Sequence, residues 1–147
     1  MIIKANQEDT NEILKHTAQA LFEGTRGNCQ LSTEKAIEIT KPIVEKGAFY
    51  LIIKEENKVM GWILIGENTD YFSCEKLGFI YELYVFPEYR GKGLSRELME
   101  AGIKELKEKY SEIRLNVFTG NFAKEMYEEF GFVERQVIMT LKLSIIV

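Results

Sequence analysis

Proline, cysteine, histidine and an excess of positive charge are all scarce in this chain. Its 147 residues include two prolines, two cysteines and one histidine, and 19 Lys and Arg against 23 Asp and Glu leave a formal net charge of -4. Cys29 and Cys74 stand far apart, and with His16 as the lone imidazole they make no recognisable zinc site, so no metal is expected. They read as two reduced thiols of a cytoplasmic protein. The acidic balance argues against a nucleic-acid partner, which usually needs a basic face. It leaves room for a phosphorylated ligand, because a few local donors can hold one inside an acidic protein. No apolar run approaches the roughly 20 residues of a membrane span. Met1 to Asn6 lack the apolar stretch of a signal peptide, so neither a membrane partner nor export is expected. No stretch rich in Ser, Pro or Gly offers a linker, and residues 1–147 suit a single domain.

With 46% hydrophobic and 29% charged residues, the chain has the make-up of a folded globular protein rather than a disordered one. Ile2 to Ala5 predict a short strand. Asn6 with Asp9 three residues on marks a helix start, and Ile13, Leu14, Thr17, Ala18, Leu21 and Phe22 share one face of the helix that follows. His16 falls on the opposite, solvated side of that helix. Glu23 to Leu31 form a loop, and Ser32 caps a second helix that Pro42 is placed to kink or break. Phe49 to Lys54 and Val59 to Ile65 predict a hairpin about the polar turn Glu55-Glu56-Asn57-Lys58. A loop from Glu67 to Lys76 carries Tyr71 and Phe72, which either pack on the sheet or wall a substrate site.

Leu77 to Phe86 form an almost unbroken apolar run with one acid, Glu82, as expected of a central strand covered on both faces. A helix over Gly91 to Tyr110, a strand over Ile113 to Phe118, a helix over Phe122 to Phe130 and a strand over Gln136 to Leu143 complete the reading. The order β-α-α-β-β-β-α-β-α-β describes a mixed α/β sandwich.

The strand–helix junction after Phe86 carries the strongest chemical signal. Pro87 ends the strand, and Gly91 and Gly93 let the backbone curl closely before helix formers begin at Leu94. Such a turn gathers N–H groups at the positive end of a helix, where a pyrophosphate fits. The spacing excludes a Walker loop, and the missing third glycine excludes a dinucleotide fingerprint. A purely structural turn is the plain alternative.

Arg90-Gly91-Lys92-Gly93-Leu94-Ser95 resembles the acetyl-CoA signature Arg/Gln-x-x-Gly-x-Gly/Ala of the GNAT (GCN5-related N-acetyltransferase) superfamily, with Ser95 departing from the last position. Ala123-Lys124-Glu125-Met126-Tyr127-Glu128-Glu129-Phe130-Gly131-Phe132 is similar to that family's Asn-x-x-Ala-x-x-x-Tyr-x-x-x-Gly-Phe segment, with Asn121 one residue late. The resemblance implies a mostly antiparallel central sheet flanked by helices, with acetyl-CoA as cosubstrate. It also implies that Leu83, Tyr84 and Val85 line the pantetheine arm, and that Tyr127 lies near the thioester sulfur, able to protonate the departing thiolate. Tyr127 otherwise reads as a core aromatic, and Asn121 either caps its helix or reaches the cofactor. In the family, Phe22 to Leu31 and Glu67 to Lys76 correspond to the regions that choose the acceptor.

Acetyl transfer to an amine needs a neutral amine, a polarised carbonyl and a route for the thiolate. The chain offers no Ser-His-Asp or Cys-His set, which favours direct attack in a ternary complex. The backbone N–H near Val85 is placed to polarise the carbonyl. Glu82 is the candidate general base, since burial would raise its pKa towards a useful value; a structural ion pair is its plain alternative. Glu67, Asp70 or a water chain are the other candidates. The expected activity is therefore N-acetylation of a primary amine on a small molecule or peptide. The alternative is an acyl-CoA sensor without turnover. A homodimer would form through an exposed strand edge or the apolar Ser144-Ile145-Ile146-Val147 tail.

Overall fold

Alternating apolar residues need a partner strand, and the two-residue hairpin turn supplies the first one. Strands β2 (Phe49–Glu55) and β3 (Lys58–Thr69) pair antiparallel from Phe49 opposite Ile65 to Glu55 opposite Lys58. Glu56 and Asn57 between them both have positive φ, 50° and 64°, the conformation whose twist matches a hairpin. In this computed structural model, which describes residues 1–144, β1 (Ile2–Lys4) and β4 (Lys76–Val85) join antiparallel on either side. β5 (Ile113–Leu115) joins parallel to β4, giving the order β1-β2-β3-β4-β5. The expected mixed, mostly antiparallel sheet is present.

Helices cover both faces. On one lie α1 (Gln7–Leu14), α2 (Thr17–Gly24) and α3 (Thr33–Glu45), over a core of Ile13, Tyr50, Ile52, Trp62, Leu64 and Tyr84. On the other, α4 (Leu94–Lys107) buries Leu98, Met99 and Leu106 against Leu51, Ile63 and Ile65. Each face takes alternate side chains of the central strands, as the period of two requires. Close approach of α4 depends on Gly102, where a Cβ would stand 2.8 Å from Ile63.

Four expectations need correction. The first helix is two: Lys15 bonds back to Glu12 and His16 to Ile13, closing α1, and α2 starts afresh after His16. His16 is consequently half-buried rather than solvated, its ring edge-on to Phe86 at 5.0 Å. Pro42 does not break α3, which runs on to Glu45; the proline sits on an exposed face where water can satisfy the carbonyl that its missing N–H leaves free. The loop after Ile65 is shorter than expected, since β3 continues to Thr69 and only Asp70 to Glu75 turn.

The fourth correction is the largest. Gln136 to Leu143 are not a strand of this sheet. Their alternation fixes which side chains share a face, but a strand also needs an edge to bond to, and among the described residues none meets this segment. Ile145 to Val147 of the apolar tail lie outside the described residues. Among the described residues no helix is long and apolar enough to cross a membrane, and no three His, Cys, Asp or Glu gather as metal ligands.

Candidate active site

The register of β4 changes within one residue. Leu64 faces Glu82, but Ile65 faces Ile80, so Tyr81 is an extra residue and β4 bulges there. Two consecutive side chains, Tyr81 and Glu82, therefore turn towards the α1–α3 side, with Tyr84 and Phe86 beyond them. A bulge of this kind re-aims a side chain and ends regular pairing. Here it directs the one acid of an apolar strand into an aromatic layer.

Glu82 Oε1 accepts a 2.6 Å hydrogen bond from the indole Nε1–H of Trp62, a residue with no exposed surface. Trp62 in turn lies 5.0 Å from the Tyr84 ring and 5.5 Å from that of Phe86. The residue as a whole keeps some accessible surface, while its carboxylate lies among packed atoms with only this neutral donor. Burial pushes the Glu82 pKa up to about 7, and the Trp62 bond offsets only part of that. The buried Tyr50 hydroxyl lies on the same layer, and burial with the nearby Glu82 charge raises it far above its ordinary value, against a smaller lowering from the Thr17 hydroxyl.

Beyond Ile80 the strand loses its neighbour. β5 accompanies β4 only from Gly78 to Ile80, so Glu82 to Val85 have no strand on that side among the described residues. The chain then makes a single 3-10 turn, Pro87–Tyr89, and reaches Gly91 and Gly93, with φ of 84° and 78°. No atom stands within 4 Å of a Cβ built at either glycine. The N–H groups from Gly91 to Arg96 have no acceptor among the described residues; the next one along, that of Glu97, bonds to Gly93. Six N–H groups are thus left without an intramolecular acceptor over this turn and the first turn of a 14-residue helix, where backbone donors and the helix dipole favour an anion.

Arg90 does not reach outward from this turn. Its Nε–H donates to the Val85 carbonyl at 2.8 Å, and its Nη2 pairs with Glu23 of α2 at 2.7 Å. Its guanidinium also lies 5.4 Å from the Tyr84 ring, whose hydroxyl donates to Glu23 at 2.8 Å. Burial works to raise the Glu23 pKa, but bonds from Gln19, Arg90 and Tyr84 outweigh it and hold the carboxyl below its usual range. Tyr84 is pushed up to about 12, first by burial and then by Glu23. Arg90 is therefore a strap that fixes strand, turn and α2 together, and its counterpart Glu23 carried no signal in the sequence beyond its place near a helix end. Lys92, by contrast, is exposed, its ammonium 6.0 Å from the Tyr89 ring.

The second segment is tied to the first. α5 (Ala123–Glu129) meets the first turn of α4 through the Ser95 hydroxyl, 3.9 Å from Met126 Sδ, and through Arg96 with Glu129 at 2.6 Å. Tyr127 is partly buried, packs 6.2 Å from Phe132, and has its pKa raised by burial. Asn121 uses both ends of its amide within the protein. Its oxygen accepts from the Ala123 N–H at 2.9 Å, and its nitrogen donates to the Gly24 carbonyl at 3.1 Å. It thus joins the α5 start to the end of α2, which favours the cap over the cofactor contact.

Glu67 and Asp70 sit elsewhere. Glu67 faces Gly78, four residues from Glu82 along β4 and so roughly 13 Å away. It is held below its usual pKa by the Tyr110 hydroxyl and Lys76. Asp70 accepts from the N–H groups of Ser73 and Phe72 and from Arg114 at 2.6 Å, which keep it far below the ordinary carboxylate range. Tyr71 and Phe72 pack edge-on against each other at 5.3 Å and are otherwise exposed. A depression of about 350 Å³ is lined by Phe22, Gln30 and Leu31 of the stretch expected to face the acceptor and by Ala18 and Gln19 just before it.

The sheet parts after Ile80, and a helix N-terminus whose N–H groups lack intramolecular acceptors stands at the parting. The chain belongs to the acetyltransferase (GNAT) family, whose model matches residues 12–132. It is 32% identical over 97 residues to an uncharacterized N-acetyltransferase of Bacillus subtilis, a match covering 60% of this chain and 56% of that protein. An N-alpha-acetyltransferase of Saccharolobus solfataricus is 29% identical over 103 residues, covering 64% and 62%. A spermine/spermidine N(1)-acetyltransferase of Bacillus subtilis is 29% identical over 107 residues, covering 69% and 65%. The chain thus spans 56 to 65% of the length of these curated relatives. Among solved structures, a putative acetyl transferase from Pyrococcus furiosus superposes with a TM-score of 0.78 at 23% identity, over 97% of this chain and 99% of that one. A predicted acetyltransferase from Clostridium acetobutylicum, solved with acetyl-CoA, gives 0.72 at 19%, over 97% and 95%. At these identities the likeness is one of fold.

Proposed function

We propose that the protein is an N-acetyltransferase that moves the acetyl group of acetyl-CoA to a primary amine by direct attack in a ternary complex. The observation that carries this reading is the pairing of six free N–H donors at the α4 N-terminus with a carboxyl of raised pKa on the strand leading into it. Gly91 to Ser95 supply donors for the pyrophosphate, and exposed Lys92 adds a positive charge beside them. The side of β4 from Leu83 to Val85 that lacks a strand neighbour offers backbone groups to the pantetheine arm, with the Val85 N–H near the carbonyl to be polarised. Acetyl-CoA brings an activated thioester. Transfer forms the amide C–N bond and breaks the C–S bond.

Glu82 takes the proton that the amine must lose. A carboxyl with a pKa near 7 is matched to that task at neutral pH, being ionised often enough to accept and basic enough to hold. Tyr127 returns a proton to the thiolate; its hydroxyl has no protein partner among the described residues and is kept neutral by burial. The polyamine and N-terminal acceptors in the relatives' names are all amines, and a cationic amine suits an acidic chain.

A ligand that binds only the native state must stabilise it, by about 2.7 kcal/mol at a hundredfold excess over Kd. Acetyl-CoA should therefore raise the melting temperature by several degrees, and desulfo-CoA should do so nearly as well. No shift at saturating acetyl-CoA would remove the basis of the proposal. A shift without release of free thiol across a panel of polyamines, aminoglycosides and peptides would assign the chain to acyl-CoA sensing.

A further inference from the structure

Given acetyl transfer to an amine, the reading on which this rests, we propose that Arg26 selects the acceptor: a primary amine with a carboxylate at the far end of a short apolar chain. Four of the five arginines already pair with a carboxylate, Arg90 with Glu23, Arg96 with Glu129, and Arg114 and Arg135 with Asp70. Arg26 is exposed, and among the described residues its guanidinium has neither a carboxylate partner nor a hydrogen bond. An arginine that only braces a loop uses its N–H groups on carbonyls or carboxylates of the protein. Here they stay open, at a place the fold has prepared.

Arg26 has a φ of 54° and Gly27 of 82°, the left-handed region that a residue with a Cβ enters only at a cost. Thr25 clamps this turn, its hydroxyl donating to the Leu21 carbonyl at 2.7 Å and accepting from the Cys29 N–H at 2.8 Å. The Gly27 N–H donates to the Phe22 carbonyl at 2.7 Å. The guanidinium is seated on Gly120, where φ is 81° and a Cβ would stand 1.9 Å from Arg26 Nη1. The next residue, Asn121, donates to the Gly24 carbonyl, so the loop after α2 meets the loop after β5. Glu23 at the end of α2 bonds Tyr84 of β4, and β5 leaves β4 at Ile80. The two loops therefore meet across the open side of β4, from Leu83 to Val85.

The surface beside Arg26 offers nothing to a second ammonium. The depression there is lined by Ala18, Phe22 and Leu31 and by the neutral amides of Gln19 and Gln30. The Phe22 ring lies against Gly27, 3.6 Å from where a Cβ would be. Glu23, three residues before Arg26, is already taken by Arg90, Tyr84 and Gln19. A polyamine would need a free carboxylate for its further charge, whereas a carboxylate finds the planar fork of a guanidinium. Tyr84, which Glu23 bonds, stands two residues beyond Glu82 on β4, so an amine at Glu82 and an anion at Arg26 lie on the order of 10 Å apart. That span fits an ω-amino acid or a short apolar peptide, not an α-amino acid.

Thiol release at saturating acetyl-CoA is compared for four acceptors of matched length: ε-aminocaproate, its amide, hexylamine and hexamethylenediamine. The carboxylate should exceed the amide and the diamine in kcat/KM by about 10–100-fold, chiefly through KM. Arg26→Gln should bring the carboxylate-to-amide ratio to about one, and Arg26→Lys should keep part of it, as a point charge without the fork. Wild-type protein that treats the four alike or prefers the diamine overturns the proposal, and so does a variant that loses equally on all four. A variant whose KM rises for acetyl-CoA but not for its 3′-dephospho form assigns Arg26 to the cofactor's phosphate, which also overturns it. Calorimetric titration of the CoA-bound protein with the N-acetylated products decides the matter without turnover. N-acetyl-ε-aminocaproate should bind wild type about tenfold tighter than N-acetylhexylamine, and Arg26→Gln without that difference. Equal binding to wild type overturns the proposal. Absence of thiol release from every acceptor would count against acetyl transfer itself, and the titration would still judge Arg26.

Discussion

Two carboxylates on neighbouring stretches of the same sheet behave in opposite ways. Glu82 and Asp70 are both withdrawn from solvent, yet burial leaves Glu82 near 7 while Asp70 stays far below its ordinary range. The difference is the number and charge of donors. Asp70 closes a tight turn, where the Ser73 and Phe72 N–H groups and the Arg114 guanidinium all favour its ionised form. Glu82 meets one neutral indole N–H in an aromatic layer. Withdrawal from water alone does not make a base; it does so only where compensating donors are withheld.

The largest effect is expected at Glu82. Glu82→Gln keeps the shape and an oxygen for Trp62 but cannot take a proton, and kcat/KM should fall by about 10²–10⁴. The wild-type pH profile should rise through an inflection near 7 that the variant lacks. The same change should stabilise the protein in alkaline solution. A carboxyl whose folded pKa is raised makes its stabilising contribution below its unfolded value, near 4.5, and loses it as pH climbs through about 7. Glu82→Gln should therefore gain about 1–3 kcal/mol over wild type at pH 8 and little at pH 4, measured by urea denaturation at both pH values. Equal activity in the two proteins would return Glu82 to a structural role.

Asp70→Asn is the mirror experiment. A carboxyl with a depressed folded pKa stabilises above its unfolded value of 3.8 and loses that contribution as pH falls below it. The variant should melt several degrees lower at neutral pH, with a flatter acid limb, while kcat and its pH profile stay as in wild type. A changed kinetic profile would mean that the two ends of β4 are coupled.

The smallest effect is expected at Trp62→Phe, which removes the single donor that lowers Glu82. The kinetic inflection should move up by about half a pH unit, in line with a weak neutral hydrogen bond. A downward move would show that the indole shields Glu82 from water more than it stabilises its charge.

Much of this was legible before any fold was known. Gly91 and Gly93 could be read because only residues tolerant of positive φ make that curl, and Glu82 because a lone acid in an apolar strand is conspicuous. Trp62 and Glu23 were not, since they act on Glu82 and Arg90 across 20 and 67 residues of sequence. The extra residue at Tyr81 was invisible too: an apolar run carries no mark of which residue its partner strand will skip. The break at His16 lacked a Gly or Pro to announce it.

The sequence by itself determined the local matters: the hairpin at Glu56 and Asn57, the end of β4 at Pro87, the apolar stripe of α4, and the family. Each follows from backbone preference or side-chain period within a short window. Only the tertiary structure decided that Arg90 straps the turn to α2, that Glu82 has one donor where Asp70 has four, and that Gln136 to Leu143 meet no strand edge among the described residues. The physical reason is common to all three. A hydrogen-bond partner or a free sheet edge is supplied by residues distant in the chain, and no local preference encodes which group arrives.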